Sequence, residues 1–269
     1  MTTPNETFQI PVEAAEAYEA TFVPALFAEW APRLLEFAGV QRGHSVLDVA
    51  CGTGVVARAA AEMVGPDGRV VGVDLNEAML TVARRVAPKL DFRQGDVAAL
   101  PFPDGEFDVA VCQMALMFFP DRVGAVSQMR RVVSTGGTVA LVAPAALHEQ
   151  PAYAPFVDMV AGFVGPEAMS LMSTYFSCGE VDDVAALFEA AGLNAFSTKT
   201  ATGLARFASI DAAVAAEIES TPMIDRITED GYRQIRAAAR DVFQPHVTKT
   251  GELHLPFVCH LVAGVKSQP

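Results

Sequence analysis

A carboxylate and two glycines near residue 50 have the types and spacing of a ligand-binding turn. Asp48 lies within the apolar run 46–50, and Gly52 and Gly54 follow that run directly. A short apolar run bounded by polar residues and glycines predicts a buried parallel strand, and residues 55–64 predict an Ala-rich helix. The glycines therefore lie at a strand-to-helix turn, where backbone N–H groups point outward and can bind an anionic or polar ligand.

Two classes of ligand compete for this turn. Residues 52–57 fit the G-x-G-x-x-G/A pattern of dinucleotide-binding loops, and Asp74 follows about twenty residues later, where an acid binds a ribose hydroxyl. That pattern alone permits NAD. Asp48 has no role in binding a pyrophosphate, but it has a clear one towards a ligand that carries an ammonium group and a sulfonium. Asp48 therefore favours S-adenosylmethionine (SAM).

The elements that must position these residues are strands alternating with helices. The predicted strands are 46–50, 69–74, 90–94, 107–112, 138–143, 193–202 and 253–265. This alternation predicts an α/β fold with a doubly wound sheet, which binds its ligands at the carboxyl ends of the strands. Gly95, Asp96 and Val97 follow the third strand and Gln113 follows the fourth. We expect these residues at the same edge as the glycine turn.

Residues 46–54, V-L-D-V-A-C-G-T-G, closely resemble motif I of the class I SAM-dependent methyltransferases. The resemblance continues in order through Val73-Asp74, Gly95-Asp96-Val97 with Leu100-Pro101-Phe102, and Phe107-Asp108-Val109. It covers about residues 10–200, and four ordered motifs are far more specific than one glycine turn. Residues 113–121 and 130–137 are most similar to the branch that contains the ubiquinone/menaquinone-type C-methyltransferases (methyltransferase type 11). That branch is chemically mixed, so the resemblance does not define the methyl acceptor.

The resemblance implies a Rossmann-like, seven-stranded and mostly parallel sheet with an antiparallel last strand. It implies SAM as the cofactor, with S-adenosylhomocysteine (SAH) as its product. In this interpretation Asp74 binds the ribose hydroxyls, Asp96 and the Val97 N–H face the adenine, and Gln113 faces the methionine end. The predicted cofactor residues are Tyr18, Phe22, Asp48, Ala50, Cys51, Gly52, Gly54, Asp74, Leu75, Met79, Gly95, Asp96, Val97 and Gln113. The alternatives are a NAD-linked oxidoreductase and a non-catalytic SAM-binding protein.

Three segments are predicted to cover the cofactor and its substrate. They are a helical N-terminal lid at 1–40 and two substrate-lid insertions at 144–178 and 203–250. The SAM-binding domain is predicted at 41–202 and 251–269, and the first insertion lies within it. Pro24 and Pro32 are expected to break the N-terminal helix. The first insertion is rich in Pro, Met and aromatic residues and is expected to pack irregularly around a substrate. The second predicts helices at 211–219 and 229–243.

Methyl transfer from a sulfonium is an in-line displacement, so the protein must mainly place the acceptor and exclude water. Placement alone can lower the barrier by about 7–11 kcal/mol. The sequence contains no H-E-x-x-H motif or acidic metal cluster, and we expect no metal. His148, just past the fifth strand, is the candidate general base, because an imidazole can take a proton near neutral pH. The alternative is an exposed loop histidine beside Glu149.

Composition limits the partners. The formal net charge is −13 over 269 residues, which argues against binding nucleic acid or anionic membranes through clustered basic residues. The N-terminus lacks the features of a signal peptide and no apolar run is long enough to span a membrane, so we expect a cytoplasmic protein. The apolar lid predicts a small hydrophobic or aromatic acceptor, methylated on carbon or oxygen. Oligomeric state is not encoded in these patterns.

Overall fold

The seven predicted strands form a single sheet in the computed structural model, which describes residues 10–164, 173–193, 195–219 and 227–268. The strands are β1 (Ser45–Val49), β2 (Arg69–Asp74), β3 (Asp91–Gln94), β4 (Phe107–Gln113), β5 (Val133–Pro144), β6 (Ala195–Phe207) and β7 (Leu253–Val265). Their spatial order is β3-β2-β1-β4-β5-β7-β6. Strands β1 to β5 are parallel, and β7 is antiparallel to both of its neighbours. The predicted fold class is confirmed.

The order of the strands reverses between β1 and β4. The chain moves outward from β1 through β2 to β3 and then returns to place β4 on the other side of β1. Loops that leave two neighbouring parallel strands in opposite directions open a crevice at the carboxyl ends of those strands. The fold therefore places a crevice where the glycine turn after β1 meets the segment after β4.

Helices cover both faces of the sheet. They are α1 (Val12–Phe22), α2 (Ala28–Phe37), α3 (Val55–Val64), α4 (Glu77–Val86), α5 (Arg122–Val132), α6 (Tyr153–Val164), α7 (Val181–Ala190), α8 (Ile210–Glu219) and α9 (Glu229–Phe243). Successive residues of a strand point to opposite faces. Val46 accordingly packs in the cluster that contains α2 and α3, whereas Leu47 packs in the cluster that contains α5 and α7.

The N-terminal helix is not broken at its prolines, contrary to the sequence prediction. Pro24 lies in a π-helical turn, Val23–Phe27, which joins α1 to α2 without a gap, and Pro32 lies inside α2. A proline inside a helix costs roughly 3 kcal/mol. Trp30 and Leu34 of α2 are completely buried, and burial of such large apolar side chains offsets that cost.

Within the first predicted substrate-lid insertion, the described residues include helix α6. One face of α6, including Tyr153 and Phe156, is buried. The two helices predicted in the second insertion are present, and Thr228 caps α9 by accepting a hydrogen bond from the Gly231 N–H at 3.1 Å.

Strands β6 and β7 extend past the rest of the sheet. The last residue of β5, Pro144, pairs with Cys259 of β7, whereas residues 253–258 of β7 pair, among the seven strands, with β6 alone, and Leu253 also forms a bridge with Val247. Six residues of strand span about 20 Å, so this ribbon projects beyond the carboxyl edge, where the crevice opens. Strand β6 also continues to Phe207, which makes the insertion between the strands 208–252. Within the described ranges, no helix is both long and apolar enough to cross a membrane.

Candidate active site

The crevice at the reversal of strand order is lined by residues from three parts of the chain. We call it the β1–β4 crevice. Its lining residues are Tyr18, Phe27, Asp48, Ala50, Cys51, Gly52, Val55, Val56 and Gln113. Six of them belong to the predicted set, and Phe27, Val55 and Val56 were not predicted. The rings of Tyr18 and Phe27 meet at a tilted angle, 5.1 Å apart between centroids, and the crevice holds a cavity of about 30 Å³.

Asp48 holds the start of α3 from within the sheet. Its carboxylate accepts a hydrogen bond from the Ala57 N–H at 2.9 Å, and the residue is only 1% exposed. Burial raises the pKa of Asp48 to about 8, opposed by the bond from Ala57, and the nearby Asp74 raises it further. A buried carboxyl group with a raised pKa is stabilised in its ionised form by a cationic group placed beside it, because the cation replaces the lost hydration.

Backbone strain is concentrated on both sides of the crevice. Ala50, directly after β1, has φ 54°, and Met114, directly after β4, has φ 50°. Among the residues that the structure describes, they are the only non-glycine residues with positive φ. Such conformations cost of order 1–3 kcal/mol and cluster at functional sites. No sequence motif marks Met114, whose backbone N–H donates to the Val142 carbonyl of β5 at 2.8 Å.

The glycines of the turn are required by backbone geometry. Gly52 and Gly54 both have positive φ, at 53° and 84°. A Cβ atom on Gly54 would lie 2.7 Å from the Phe92 ring, so any larger residue there would also have to displace that ring. Cys51, between Ala50 and Gly52, is buried, and burial raises the pKa of its thiol. The thiol is therefore a packing group rather than a nucleophile.

Asp74 ties the end of β2 to the turn after β1. Its two carboxylate oxygens accept hydrogen bonds from the Gly52 N–H at 2.7 Å and from the Asn76 N–H at 2.8 Å. Burial raises the pKa of Asp74 against the opposing effect of these bonds. Leu75 next to it is 42% exposed, whereas Met79, one turn into α4, is buried. Each carboxylate oxygen can accept a second hydrogen bond, so the side chain can still bind a ligand hydroxyl.

Gln113 links the crevice to the N-terminal segment. Its side-chain NH₂ donates to the carbonyl of Phe27 at 3.0 Å, across the mouth of the crevice. Its side-chain carbonyl oxygen is buried and has no hydrogen-bond partner among the described residues, and the same holds for the Thr53 hydroxyl. A buried unpaired polar atom costs about 1–3 kcal/mol. The crevice thus offers a ready acceptor for a donor group on a ligand.

The remaining predicted residues lie around this centre rather than in its lining. Phe22 packs beside Tyr18 at 6.2 Å between ring centroids. Gly95 follows β3, and Asp96 after it is exposed and accepts from the Ala98 N–H at 2.9 Å, which starts a short 3₁₀ turn at Val97. These residues stand at the carboxyl edge, two strands away from β1. His148 lies exposed in the 3₁₀ turn after β5 and does not line the crevice.

A polar pair that the sequence did not indicate joins α6 to α8. The Tyr153 hydroxyl donates to the carboxylate of Glu217 at 3.0 Å. Burial raises the pKa of Glu217 to about 7, while the bond from Tyr153 lowers it. The two residues are 64 positions apart on two different helices, so no local pattern could have predicted that they meet.

Comparison with known proteins agrees with this geometry. A family model described as a methyltransferase domain matches residues 46–137. The chain is 31% identical over 187 residues to a demethylmenaquinone methyltransferase of Staphylococcus carnosus, a match that covers 65% of this chain and 78% of that relative. It is 36% identical over 164 residues to a nocamycin O-methyltransferase of Saccharothrix syringae and covers 58% of each.

The fold has matches among solved structures. The YcgJ protein of Bacillus subtilis superposes with a TM-score of 0.58 at 22% identity, over 89% of this chain and 98% of that one. The turn after β1, the carboxylate at the end of β2 and all the crevice residues except Tyr18 and Phe27 lie within the matched family region. The chain belongs to the class I SAM-dependent methyltransferases, in the branch that contains the ubiquinone/menaquinone-type enzymes.

Proposed function

We propose that this SAM-dependent methyltransferase transfers the methyl group to a carbon or oxygen of a small hydrophobic or aromatic molecule. The observation that carries this proposal is a set of aromatic side chains beside the β1–β4 crevice, which we call the aromatic wall. Its members are Phe118, Tyr153, Tyr175, Phe176 and Phe257. Edge-to-face and tilted rings at these spacings suit the binding of another ring, since aromatic pairs prefer such arrangements.

The aromatic wall has two parts, one that follows β4 and one that includes the projecting ribbon. Phe118, five residues after Gln113, meets Tyr175 edge-to-face at 5.5 Å, and Phe257 of the ribbon meets Tyr153 edge-to-face at 5.2 Å. Tyr175 is among the groups that raise the pKa of Tyr18, so this member of the wall lies within electrostatic range of a residue that lines the crevice. This arrangement supports an acceptor held between the cofactor and the lid helices.

For the cofactor, we assign the ammonium group to Asp48 and to the side-chain carbonyl of Gln113. A buried carboxyl with a raised pKa and a buried unpaired acceptor in one crevice fit a cationic donor. Asp74 is assigned to the ribose hydroxyls. The adenine is assigned to the edge formed by the exposed side chain of Leu75 and by Asp96, whose carboxylate is exposed at the end of β3.

The helix α1 is assigned as a cofactor lid. Ion pairs Arg58–Glu19 at 2.9 Å and Arg85–Glu16 at 2.7 Å hold it against α3 and α4. A cavity of about 30 Å³ holds about one water molecule, so binding a whole cofactor requires Tyr18 and its helix to move outward. The ion pairs are solvent-accessible and of modest strength, which suits a lid that opens.

The names of two relatives agree with this class of acceptor. One is named for methylation of demethylmenaquinone and the other for O-methylation. The NAD alternative is less well supported, because Asp48 offers nothing to a pyrophosphate. A non-catalytic SAM-binding protein would not require the aromatic wall that adjoins the crevice.

Labelled SAM tests the proposal directly. The protein is incubated with methyl-labelled SAM and, separately, naphthohydroquinone, a nitrophenol and a primary alkylamine, and SAH and NAD are titrated by calorimetry. We expect SAH binding without NAD binding, and label transferred to an aromatic acceptor. Transfer to the amine alone, or to none of the three by a protein that binds SAH, would contradict the proposed acceptor class.

A further inference from the structure

The N-terminal helix α1 is attached to the rest of the protein more weakly than α2, which follows it. The structure describes all of α1, and its one buried residue is Ala15, which packs with Met79 and Val82 in a small cluster of its own. Helix α2 buries Trp30 and Leu34 completely within the main core. Segments with few buried apolar contacts are the ones that open locally. Helix α1 can therefore move while α2 stays in place.

The π-helical turn Val23–Phe27 lies between the two helices and is held at its last residue. The side-chain NH₂ of Gln113 donates to the Phe27 carbonyl at 3.0 Å. Turns of this kind are rare and occur often at functional sites, and hinges are formed by a few residues at the ends of elements. The π-helical turn is therefore the point about which α1 would swing. Tyr18, which lines the β1–β4 crevice, would move with α1.

A single guanidinium group joins α1 to the glycine turn. Arg58 of α3 donates from one terminal nitrogen to the Glu19 carboxylate of α1 at 2.9 Å. Its other terminal nitrogen donates at 2.8 Å to the carbonyl of Thr53, which lies between Gly52 and Gly54. The Arg58 and Glu19 side chains are 26% and 19% exposed, so solvent screens this ion pair less than one on the open surface. We call Glu19, Thr53 and Arg58 the lid junction.

The lid junction has the groups for one further hydrogen bond. The second carboxylate oxygen of Glu19 and the hydroxyl of Thr53 are both buried, and neither has a hydrogen-bond partner among the residues that the structure describes. The carboxylate oxygen is an acceptor and the hydroxyl can donate. A buried polar atom without a partner is unfavourable, so a position of α1 that pairs these two atoms is stabilised.

We propose that Arg58 is a positioning residue that couples closure of α1 to the glycine turn, and that Thr53 and Glu19 form the last hydrogen bond of the closed lid. This inference rests on the assignment of α1 as the cofactor lid. Outward rotation of α1 breaks the Arg58–Glu19 pair and moves Tyr18 away from the crevice. When α1 returns, the Thr53 carbonyl holds the guanidinium where Glu19 meets it. A contact made only in the closed state raises cofactor affinity and slows cofactor release.

The charge of Arg58 also acts on the crevice, which decides the choice of variant. Burial raises the pKa of Asp48 to about 8, and the bond from Ala57 and the charge of Arg58 lower it. Arg58→Lys keeps that charge, but a lysine has one nitrogen and cannot occupy both positions of the guanidinium. Glu19→Gln is the second variant, and it leaves Arg58 and its bond to Thr53 in place.

The first experiment measures SAH release by stopped flow and the amide hydrogen exchange of α1, both without an acceptor. For Arg58→Lys and Glu19→Gln we expect SAH to dissociate about tenfold faster, as the loss of one hydrogen bond to a charged group predicts. SAH should also protect α1 from exchange less than in the wild type. Glu16→Gln is the matched control. Glu16 also pairs α1 with an arginine, Arg85 of α4, but both side chains are exposed, so the release rate should change less than about twofold.

Thr53→Val tests the closing hydrogen bond. The variant keeps nearly the same shape and loses a buried hydroxyl that has no partner among the described residues, so the urea midpoint without SAH should stay the same or rise. SAH release should become about tenfold faster. That change should disappear when Glu19→Gln is already present, because the two residues act through one bond. A faster release that persists in the double variant would show that the Thr53 hydroxyl does not act through Glu19, and would overturn this part of the inference.

Three further outcomes would overturn the inference. One is wild-type release and wild-type protection of α1 in Arg58→Lys and Glu19→Gln that circular dichroism shows to be folded. The second is an equal increase of release in Glu16→Gln and Glu19→Gln, because closure would then depend on any ion pair of α1 and not on the glycine turn. The third is wild-type protein in which SAH binds without protecting α1, which would remove the lid assignment itself. Transfer of label to the ring acceptors is a separate measurement, so the acceptor class can fail while the lid junction stands.

Discussion

The carboxylate of Asp48 and the backbone N–H of Ala57 lie 2.9 Å apart, so a buried acid in β1 caps the helix that follows the glycine turn. The same carboxyl faces the β1–β4 crevice. One side chain thus joins the folding of the turn to its ability to bind a cation. Any change at Asp48 should be measured for both stability and cofactor affinity.

The pKa of Asp48 predicts a pH-dependent stability of the protein without cofactor. The folded-state pKa of about 8 lies above the ordinary value for the acid, so the folded state binds the proton more tightly. Stability is therefore fully present at low pH and falls as pH rises towards 8. Between about pH 6 and about pH 8 we expect a loss of about 2 kcal/mol from this group, at 1.36 kcal/mol per pH unit.

Urea unfolding at both pH values checks this prediction. The side chain of Asp48→Asn cannot ionise but can still accept a hydrogen bond from Ala57. The variant should therefore lose about 2 kcal/mol less stability between about pH 6 and about pH 8 than the wild type does. Burial also raises the pKa of Glu217, to about 7, so its ionisation lowers the stability of the protein over the same pH range. Glu217→Gln should remove that part of the pH dependence. Saturating SAH should reduce the slope in the wild type, because a cationic group near Asp48 lowers its pKa. A slope that Asp48→Asn leaves unchanged would show that Asp48 is ionised throughout.

Asp74→Ala tests the assignment of the ribose. A hydrogen bond to a charged group contributes about 1.5–3 kcal/mol, so the Kd for SAH should rise by about 10- to 100-fold. The variant also loses the acceptor for the Gly52 N–H, so circular dichroism and unfolding must show that it remains folded. Asp104→Ala, an exposed acid in a surface turn, should bind SAH as the wild type does. Calorimetry that finds no change in Asp74→Ala would remove the ribose assignment.

Gln113→Met tests the link between the crevice and the N-terminal segment. The variant keeps the volume and loses both the donor to the Phe27 carbonyl and the unpaired buried carbonyl oxygen. Since one favourable and one unfavourable feature disappear together, the free energy of unfolding should change by less than about 1 kcal/mol. The affinity for SAH should fall about tenfold. A stable variant with unchanged affinity would show that Gln113 serves only to hold α1 and α2.

Phe243→Ala tests whether helices α6 and α9 are part of the core. Phe243 of α9 stacks on Phe156 of α6 at 4.9 Å, and both are completely buried. Truncating a buried Phe costs about 3–5 kcal/mol, and we expect a loss in that range. Phe163→Ala on α6, where the side chain is 41% exposed, should change stability by less than about 0.5 kcal/mol. Equal effects of the two substitutions in thermal unfolding would contradict the stack as a core element.

The sequence by itself determined the strands, the order of the motifs and most of the crevice. Residues 253–265 and 229–243 were predicted as a strand and a helix with the bounds that the structure shows. Such elements depend on hydrophobic period and on caps such as Thr228, and both are local properties of the chain. The acid in β1 and the glycines after it were likewise sufficient to locate the turn, because adjacent residues build it.

Tertiary structure alone decided the contacts that span distant parts of the chain. The continuous helix at Pro32 exists because α2 buries Trp30 and Leu34, which a local proline rule does not consider. Gln113 meets the Phe27 carbonyl across 86 positions, and Tyr153 meets Glu217 across 64. A pairing of that kind depends on where two separately packed elements place their side chains. Burial in the assembled core then raises the pKa of Glu217, which an isolated lid helix could not do.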